Sequence, residues 1–256
     1  MKMFSDAIIK NEMYLVGFDD VSEQAINQVA LYDNKECQLA MALVYITAHT
    51  RLKDVITPLR RLKSDCLSKQ IPLLLHIGFD ASFDSKIQHR LKILQQLIAY
   101  ADCVVVACTA SNHAVQMMAQ FPQWLSDLLH KPGLINLNFP DIKKGLYAGL
   151  ALFAYTDDVD LFSKKLPIDL ISQQWLNADW PLASIYRLVL GIEGNLNMGL
   201  EHYVQLVEPF IEAKTPFFLE NHTVVSAGMM ADEQLTDEQF KVGALFLGLD
   251  FVGSVQ

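Results

Sequence analysis

Apolar residues in the first half of the chain occur in short unbroken runs separated by longer amphipathic segments. The runs at residues 13–18, 41–47, 71–77 and 103–108 lack polar alternation, which is typical of strands buried on both faces of a parallel sheet. Between them, apolar residues recur at helical spacing in residues 21–31, 52–69 and 87–100. This alternation of strand and helix predicts a parallel sheet covered by helices.

The second half of the chain has a different pattern, with strands that follow one another more closely. Helical spacing or strand-like runs occur at residues 141–155 (helix), 184–192 (strand), 199–213 (helix), 217–225 (strand) and 240–251 (strand), with an acidic loop at 231–238. Few helices separate these strands, which favours an α+β domain with a mixed or antiparallel sheet. We expect the domains to be residues 1–133 and 134–256, with the helix before Gly133 as connector.

Composition and charge narrow the class of protein. The 256 residues are 52% hydrophobic and 19% charged, which is typical of a globular protein with a sizeable core. A net charge of −9 argues against binding to nucleic acid or an anionic membrane surface, since both need a basic face. Every apolar run is strand-sized, so no membrane insertion is predicted.

The cysteines and histidines indicate neither a disulfide framework nor a metal site. The four cysteines form no Cys-x-x-Cys pair, and the seven histidines show no metal-ligand spacing. We therefore expect free thiols in a reducing, cytoplasmic environment and no bound metal.

One segment resembles a known family. Residues 131–142 read KPGLINLNFPDI, similar to the segment R-P-G-L-[IM]-N-x-D-F-A-D-[VI] of the bacterial division protein FtsZ. In that family this loop opens the carboxyl-terminal domain and supplies catalytic groups to the GTP of the next subunit. Further segments follow the family order at residues 79–108, 124–130, 185–191, 199–213 and 240–250. The resemblance implies a divergent, shortened member of the FtsZ/tubulin superfamily: a Rossmann-like domain joined by a central helix to an α+β domain.

The family's two phosphate-binding loops are not recognisable. Such loops are glycine-rich because only glycine lets successive backbone N–H groups crowd around an anion. Here Gly17 is followed by the carboxylates of Asp19, Asp20 and Glu23, which would repel a triphosphate. After Thr47, residues 48–54 contain no glycine. Arg51 and Lys53 could attract an anion there, but charges at a helix start also commonly form a solvated face.

The residues that read the guanine base are also replaced. The family's aromatic residue and aspartate on the central helix fall on Asn112 and Gln116, and Gln116 lacks the carboxylate. We expect Pro122 to interrupt this helix, because proline removes a backbone donor. The resemblance leaves a vestigial pocket whose residues are Gly17, Thr47, His49, Thr50, Asn112 and Gln116.

The catalytic loop keeps only part of its pattern, so no catalytic residue is assigned. Asn136, Asn138 and Asp141 occupy positions where the family has Asn, Asp and Asp. Asn138 carries an amide, which cannot accept a proton from water. Asp141 stands at the second acid position, but it also fits the N-cap of a helix over residues 141–155.

The resemblance and its departures favour a non-catalytic, FtsZ-like cytoskeletal or cell-division protein of bacterial type that binds no cofactor. It would associate with itself or with an FtsZ-type protein, and residues 134–141 would contact that partner. The structural alternative is that these residues only form a turn, a helix cap and core. Two other functions stay open: an atypical GTP-binding GTPase that polymerises, and a small-molecule binder that uses the vacated crevice.

Overall fold

A computed structural model describes residues 8–10, 13–17, 41–47, 50–78, 87–107, 114–143, 145–147, 149–160, 182–212, 223–248 and 250–251. By contact density the chain divides into two compact units. The first comprises Met1–Gln123 with Leu146–Ala151, and the second comprises Trp124–Gly145 with Leu152–Gln256. The predicted boundary after Gly133 stays a prediction, close to the end of the helix in which this division falls.

The first unit contains the strand–helix alternation that the sequence predicted. Its elements are β1 (Ile8–Lys10), β2 (Met13–Gly17), β3 (Met41–Thr47), α1 (Leu52–Lys69), β4 (Leu73–Gly78), α2 (Ile87–Ile98), β5 (Cys103–Ala107) and the first part of α3 (Ala114–His130). Every described side chain of β3 and β4 is buried, which explains why these strands read as continuous apolar runs. The helix predicted at residues 21–31 lies outside the described residues.

The sheet of the first unit is parallel except at one edge. Strands β2, β3, β4 and β5 are neighbours in that order and pair in parallel, while β1 pairs with β2 antiparallel. Thr47 pairs with Gly78, and Gly78 pairs with Ala107, so three strands end level with one another. This edge is where ligands bind in open α/β sheets.

The second unit has the predicted mixed sheet. After α3 the chain forms α4 (Phe139–Lys143), a 3₁₀ turn (Gly145–Tyr147), β6 (Gly149–Asp160), β7 (Leu182–Ser184), β8 (Arg187–Gly194), α5 (Leu200–Glu212), β9 (Val224–Ala231), β10 (Gln239–Leu247) and β11 (Asp250–Phe251). Of these residues, Leu146–Ala151, which include the start of β6, belong to the first unit. Strands follow the order β6-β10-β8-β9, with β8 parallel to β9 and antiparallel to β10. Strands β7 and β11 form a separate antiparallel pair.

The prediction of a helix over residues 141–155 is wrong. The helix there ends at Lys143, and strand β6 begins at Gly149, whose φ of 82° turns the chain. The five residues 150–154 are all buried, so they form a strand enclosed on both faces. Leucine and alanine favour helices, but here packing in the surrounding core overrides that preference.

Two further predictions need correction. Pro122 lies inside α3, which continues to His130, because buried Phe121, Trp124 and Leu125 hold the helix in place around the missing donor. The strand expected over residues 240–251 is two strands, since Gly248, with a φ of 74°, separates β10 from β11. Of the strand expected at 217–225, only Val224 and Val225 coincide with the described β9.

Candidate functional site

The carboxyl edge of the first unit's sheet is the first candidate site. Gly17 ends β2 and is half-buried, and Thr47 ends β3 beside it. Thr50 is half-buried just before α1, and Arg51 is the N-cap residue of that helix. The structure places Gly17 and Thr47 at the ends of adjacent strands and Thr50 just before α1, and their role in a pocket stays a prediction.

The remaining pocket residues are not placed. His49 and Asn112 lie outside the described residues, as do Asp19, Asp20 and Glu23. Gln116 lies in α3, but its side chain is outside the described part.

The first turn of α1 has basic side chains, and its N-cap residue makes no side-chain capping hydrogen bond. Arg51 is exposed and extended, and its side chain makes no capping hydrogen bond. Lys53 is exposed in the same turn. The first N–H groups of a helix need partners, and here the N-cap side chain provides none.

Two residues before the ends of β3 and β4 lie two buried polar side chains, Tyr45 and His76. No role was predicted for either of them from the sequence. His76 in β4 is fully buried, 5.4 Å from the ring of Tyr45 and 5.1 Å from the ring of Phe121. Both His76 nitrogens and the Tyr45 hydroxyl have no hydrogen-bond partner among the described residues. Burial lowers the pKa of His76 to about 3, so the ring is neutral.

The second candidate site is the loop between α3 and α4, and Lys131 starts it. The Lys131 Nζ lies 2.9 Å from Asp127 Oδ2 and 3.3 Å from Glu193 Oε2, and both carboxylates are buried. Burial alone would lower the pKa of Lys131, but the charge of Glu193 and the hydrogen bond to Asp127 outweigh it and raise the pKa. Lys131 thus ties the end of α3 to β8 as an ion pair.

The same cluster of charged side chains extends to Lys241, near the start of β10. Lys241 Nζ lies 3.7 Å from Glu193 Oε2 and 2.7 Å from Asp232 Oδ2. Burial would raise the pKa of Asp232, yet the hydrogen bond from Lys241 keeps it below its usual value. Breaking such a buried network by removing one partner leaves an uncompensated charge, so its role is structural.

Pro132, Gly133 and Ile135 bind the loop to the outer edge of β9. The Met229 N–H donates to the Ile135 carbonyl at 2.8 Å, and the Ala231 N–H donates to the Pro132 carbonyl at 3.1 Å. A Cβ on Gly133 would overlap the Met229 carbonyl oxygen, so only glycine fits. These contacts cover an edge strand that would otherwise expose its backbone.

Asn138 and Asp141 start α4 together. The Asn138 side-chain oxygen accepts from the Asp141 N–H at 3.1 Å, and Asp141 Oδ2 accepts from the Asn138 N–H at 2.9 Å. This reciprocal pair is a capping box, with Asn138 as N-cap and Asp141 three residues later. The prediction that Asp141 is the N-cap is therefore wrong: Asn138 is the N-cap, and Asp141 is the third residue of the helix.

Two residues of the loop, Leu134 and Asn136, take no part in the ion pairs, strand-edge contacts or capping box. Leu134 is 55% exposed. Asn136 is exposed and has no hydrogen-bond partner among the described residues. Beside the loop, a cavity of about 450 Å³ is lined by Leu137, Pro140, Asp141, Arg187 and Ser226.

The described thiols are not reactive. Burial raises the pKa of Cys66 to about 11 and that of Cys103 to about 12, so both are protonated at neutral pH. Within the described part of the chain, no three His, Cys, Asp or Glu side chains lie together as metal ligands. Among the helices the structure describes, none combines the length and apolarity that crossing a membrane requires.

Comparison with known proteins shows the fold. No family model and no curated protein matches the sequence. Among solved structures, the chain is similar to a point mutant of FtsZ from M. jannaschii, with a TM-score of 0.64 and 15% identity over 91% of this chain and 71% of that one. It is also similar to an empty FtsZ dimer from M. jannaschii, with a TM-score of 0.61 and 17% identity over 82% of this chain. It spans 63% of that second structure.

These similarities confirm the predicted architecture: the chain has an FtsZ/tubulin-like fold. At this level of identity the fold is what is shared. Function has to be argued from the residues themselves.

Proposed function

We propose that this protein is a non-catalytic, FtsZ-like protein that acts in the cytoplasm by association with a second copy or with an FtsZ-type partner, in a cytoskeletal or cell-division role. GTP binding and hydrolysis have been lost, and no cofactor is needed. The fold supplies the shape, and the exposed part of the loop between α3 and α4 supplies the contact surface.

The observation that carries the proposal is that only some of residues 131–142 have structural contacts within the chain. Ion pairing, strand-edge contacts and a capping box account for Lys131, Gly133 and the pair Asn138 and Asp141. Leu134 and Asn136 are exposed and contribute to none of these contacts. An exposed leucine next to an unbonded amide is a small mixed surface of the kind found at protein interfaces.

The same geometry argues against catalysis. Asp141 is the one acid remaining in the loop, and its Oδ2 accepts a hydrogen bond from the Asn138 N–H. The other family acid is an amide, whose oxygen accepts from the Asp141 N–H. An amide cannot take a proton from water, and Asp141 already has a structural role as the second half of the capping box.

The alternative is a GTP-binding protein that polymerises, and one observation favours it. The N-terminus of α1 has no side-chain cap and carries Arg51 and Lys53 against one acid, Asp54, so it offers N–H groups and a small net positive charge together. Against this stand the carboxylates that follow Gly17 and the lack of glycine in residues 48–54. Direct titration with GTP distinguishes the two functions.

Sedimentation velocity at increasing protein concentration tests the association. We expect the wild-type chain, alone or mixed with an FtsZ-type protein, to form larger species. Asn136→Arg should weaken these species at least tenfold, because a long charged side chain replaces a small amide at the contact. The control is Asn197→Arg at another exposed asparagine, in the turn after β8. Because the Asn197 amide donates to Asp237, circular dichroism has to show that both variants are folded.

Two outcomes would contradict the proposal. One is a chain that stays monomeric and ignores an FtsZ-type partner at every concentration. The other is Asn136→Arg and Asn197→Arg associating as the wild type does, which would leave residues 134–141 with structural roles only.

A further inference from the structure

The exposed face of α5 carries an unexplained apolar stripe. Leu200, Val204 and Ile211 are 60%, 51% and 56% exposed, and their spacing puts them on one side of the helix. The opposite side is buried through Leu206 and Phe210. A helix that buries one face normally presents polar residues on the other, so this second apolar face indicates a contact.

The charges around the stripe restrict what can cover it. Glu201 and Glu208 are exposed and flank the apolar residues. A membrane-surface helix carries lysine and arginine on its polar side, so these carboxylates argue against lipid. Pairing of α5 with α5 of another copy would bring like charges together, which disfavours a symmetric contact.

Helix α1 has the complementary surface. It carries five basic residues against two acidic ones, in a chain of net charge −9. Lys53, Arg60 and Leu67 are all exposed and share one stripe at seven-residue spacing. Leu67 is 78% exposed and adds an apolar side chain at the carboxyl-terminal end of this basic stripe.

We propose that the α5 stripe of one copy docks on the α1 stripe of a second copy. This inference rests on the proposed self-association and adds a contact between α5 and α1 to the contact through the loop between α3 and α4. The contact joins two different surfaces, so an open assembly keeps one free α1 stripe at one end and one free α5 stripe at the other. Such a head-to-tail contact generates open filaments or closed rings.

Two variants, each with one surface disabled, test the proposal. Val204→Lys with Glu208→Lys disables α5, and Lys53→Glu with Leu67→Glu disables α1. Each variant alone should sediment as a monomer at concentrations where the wild type assembles. An equimolar mixture should form a one-to-one complex and nothing larger, because one intact α5 stripe meets one intact α1 stripe.

The controls separate charge and folding from docking. Glu233→Lys with Glu238→Lys makes a double reversal at exposed positions of the loop before β10 and should assemble as the wild type does. Complex formation in the mixture also shows that both variants are folded. Thermal unfolding of each variant by circular dichroism should match the wild type.

Three results would overturn the inference. A monomeric wild type would do so, as would α5 and α1 variants that assemble normally. Variants that stay monomeric when mixed, although folded, would also do so. If the wild type assembles and only Asn136→Arg prevents it, the proposed function stands and the α5–α1 contact is wrong.

Discussion

At the scale of single residues, Gly133 has a structural role that explains this glycine without any nucleotide chemistry. Its Cα lies against the backbone of β9, where a Cβ would overlap the Met229 carbonyl oxygen. The requirement is therefore steric and independent of nucleotide. Leu134, the next residue, is exposed and free of this constraint.

Gly133→Ala should lower the free energy of unfolding by about 3 kcal/mol, because the clash involves backbone that cannot rotate away. Leu134→Ala is the matched control and should change it by less than about 0.5 kcal/mol. Urea denaturation followed by circular dichroism measures both. Equal effects from the two substitutions would show that the loop can move away from β9.

His76 gives a prediction about acid stability. The folded chain holds the ring neutral with a pKa of about 3, whereas in the unfolded chain the ring takes up a proton near the ordinary histidine pKa of 6.5. Between these values the unfolded state binds one more proton, so stability is intact above pH 6.5 and falls as the pH decreases. The loss should approach about 1.4 kcal/mol per pH unit.

Urea denaturation at a series of pH values between 7 and 5 measures this loss. His76→Leu removes the titrating ring while filling similar volume between Tyr45 and Phe121, so its stability should depend less on pH. The difference between the two proteins isolates the histidine from the carboxylates. Identical pH profiles would show that His76 is protonated, or solvated, in the folded chain.

At the scale of elements, the sequence predicts best where one local pattern decides the structure. Residues 41–47 form β3 and residues 52–69 form α1 as predicted, since a doubly buried strand and an amphipathic helix each leave a plain signature. Residues 141–155 failed because leucine and alanine are compatible with both structures, and burial on both faces decided for β6.

The candidate site was predictable in part for the same reason. The turn at Pro132 and Gly133 and the loop that follows were placed correctly, whereas the cap was assigned to the wrong residue. Asn138 followed three residues later by an acid is a capping-box pattern, so the signal was present. The contact of Ile135 with Met229 joins residues distant in sequence, so a local sequence pattern does not predict it.

The capping box predicts opposite results for the two loop asparagines. Asn138→Ala should destabilise the chain by about 1 kcal/mol, because it removes the acceptor for the Asp141 N–H. Asn136→Ala should leave stability within about 0.5 kcal/mol, since that side chain is exposed and unbonded within the described residues. Thermal and urea unfolding of both variants measure this. Destabilisation by Asn136→Ala alone would reverse the assigned roles.

At the scale of the whole molecule, the chain has an FtsZ/tubulin-like fold, and we propose that it binds no GTP. Restoring one acid with Asn138→Asp should yield no magnesium-dependent phosphate release, because a general base has no use without a substrate held in position. Aspartate also preserves the N-cap, so the variant should fold normally. Phosphate release above a no-enzyme control would show that a nucleotide site survives.

Calorimetric titration of the wild-type chain with GTP and GDP, with and without magnesium, tests the loss of nucleotide binding most directly. We predict no saturable heat, and a Kd weaker than about 10 μM for either nucleotide, because carboxylates follow Gly17 and residues 48–54 lack glycine. A Kd tighter than about 10 μM for GTP or GDP would contradict this and establish a nucleotide-binding protein.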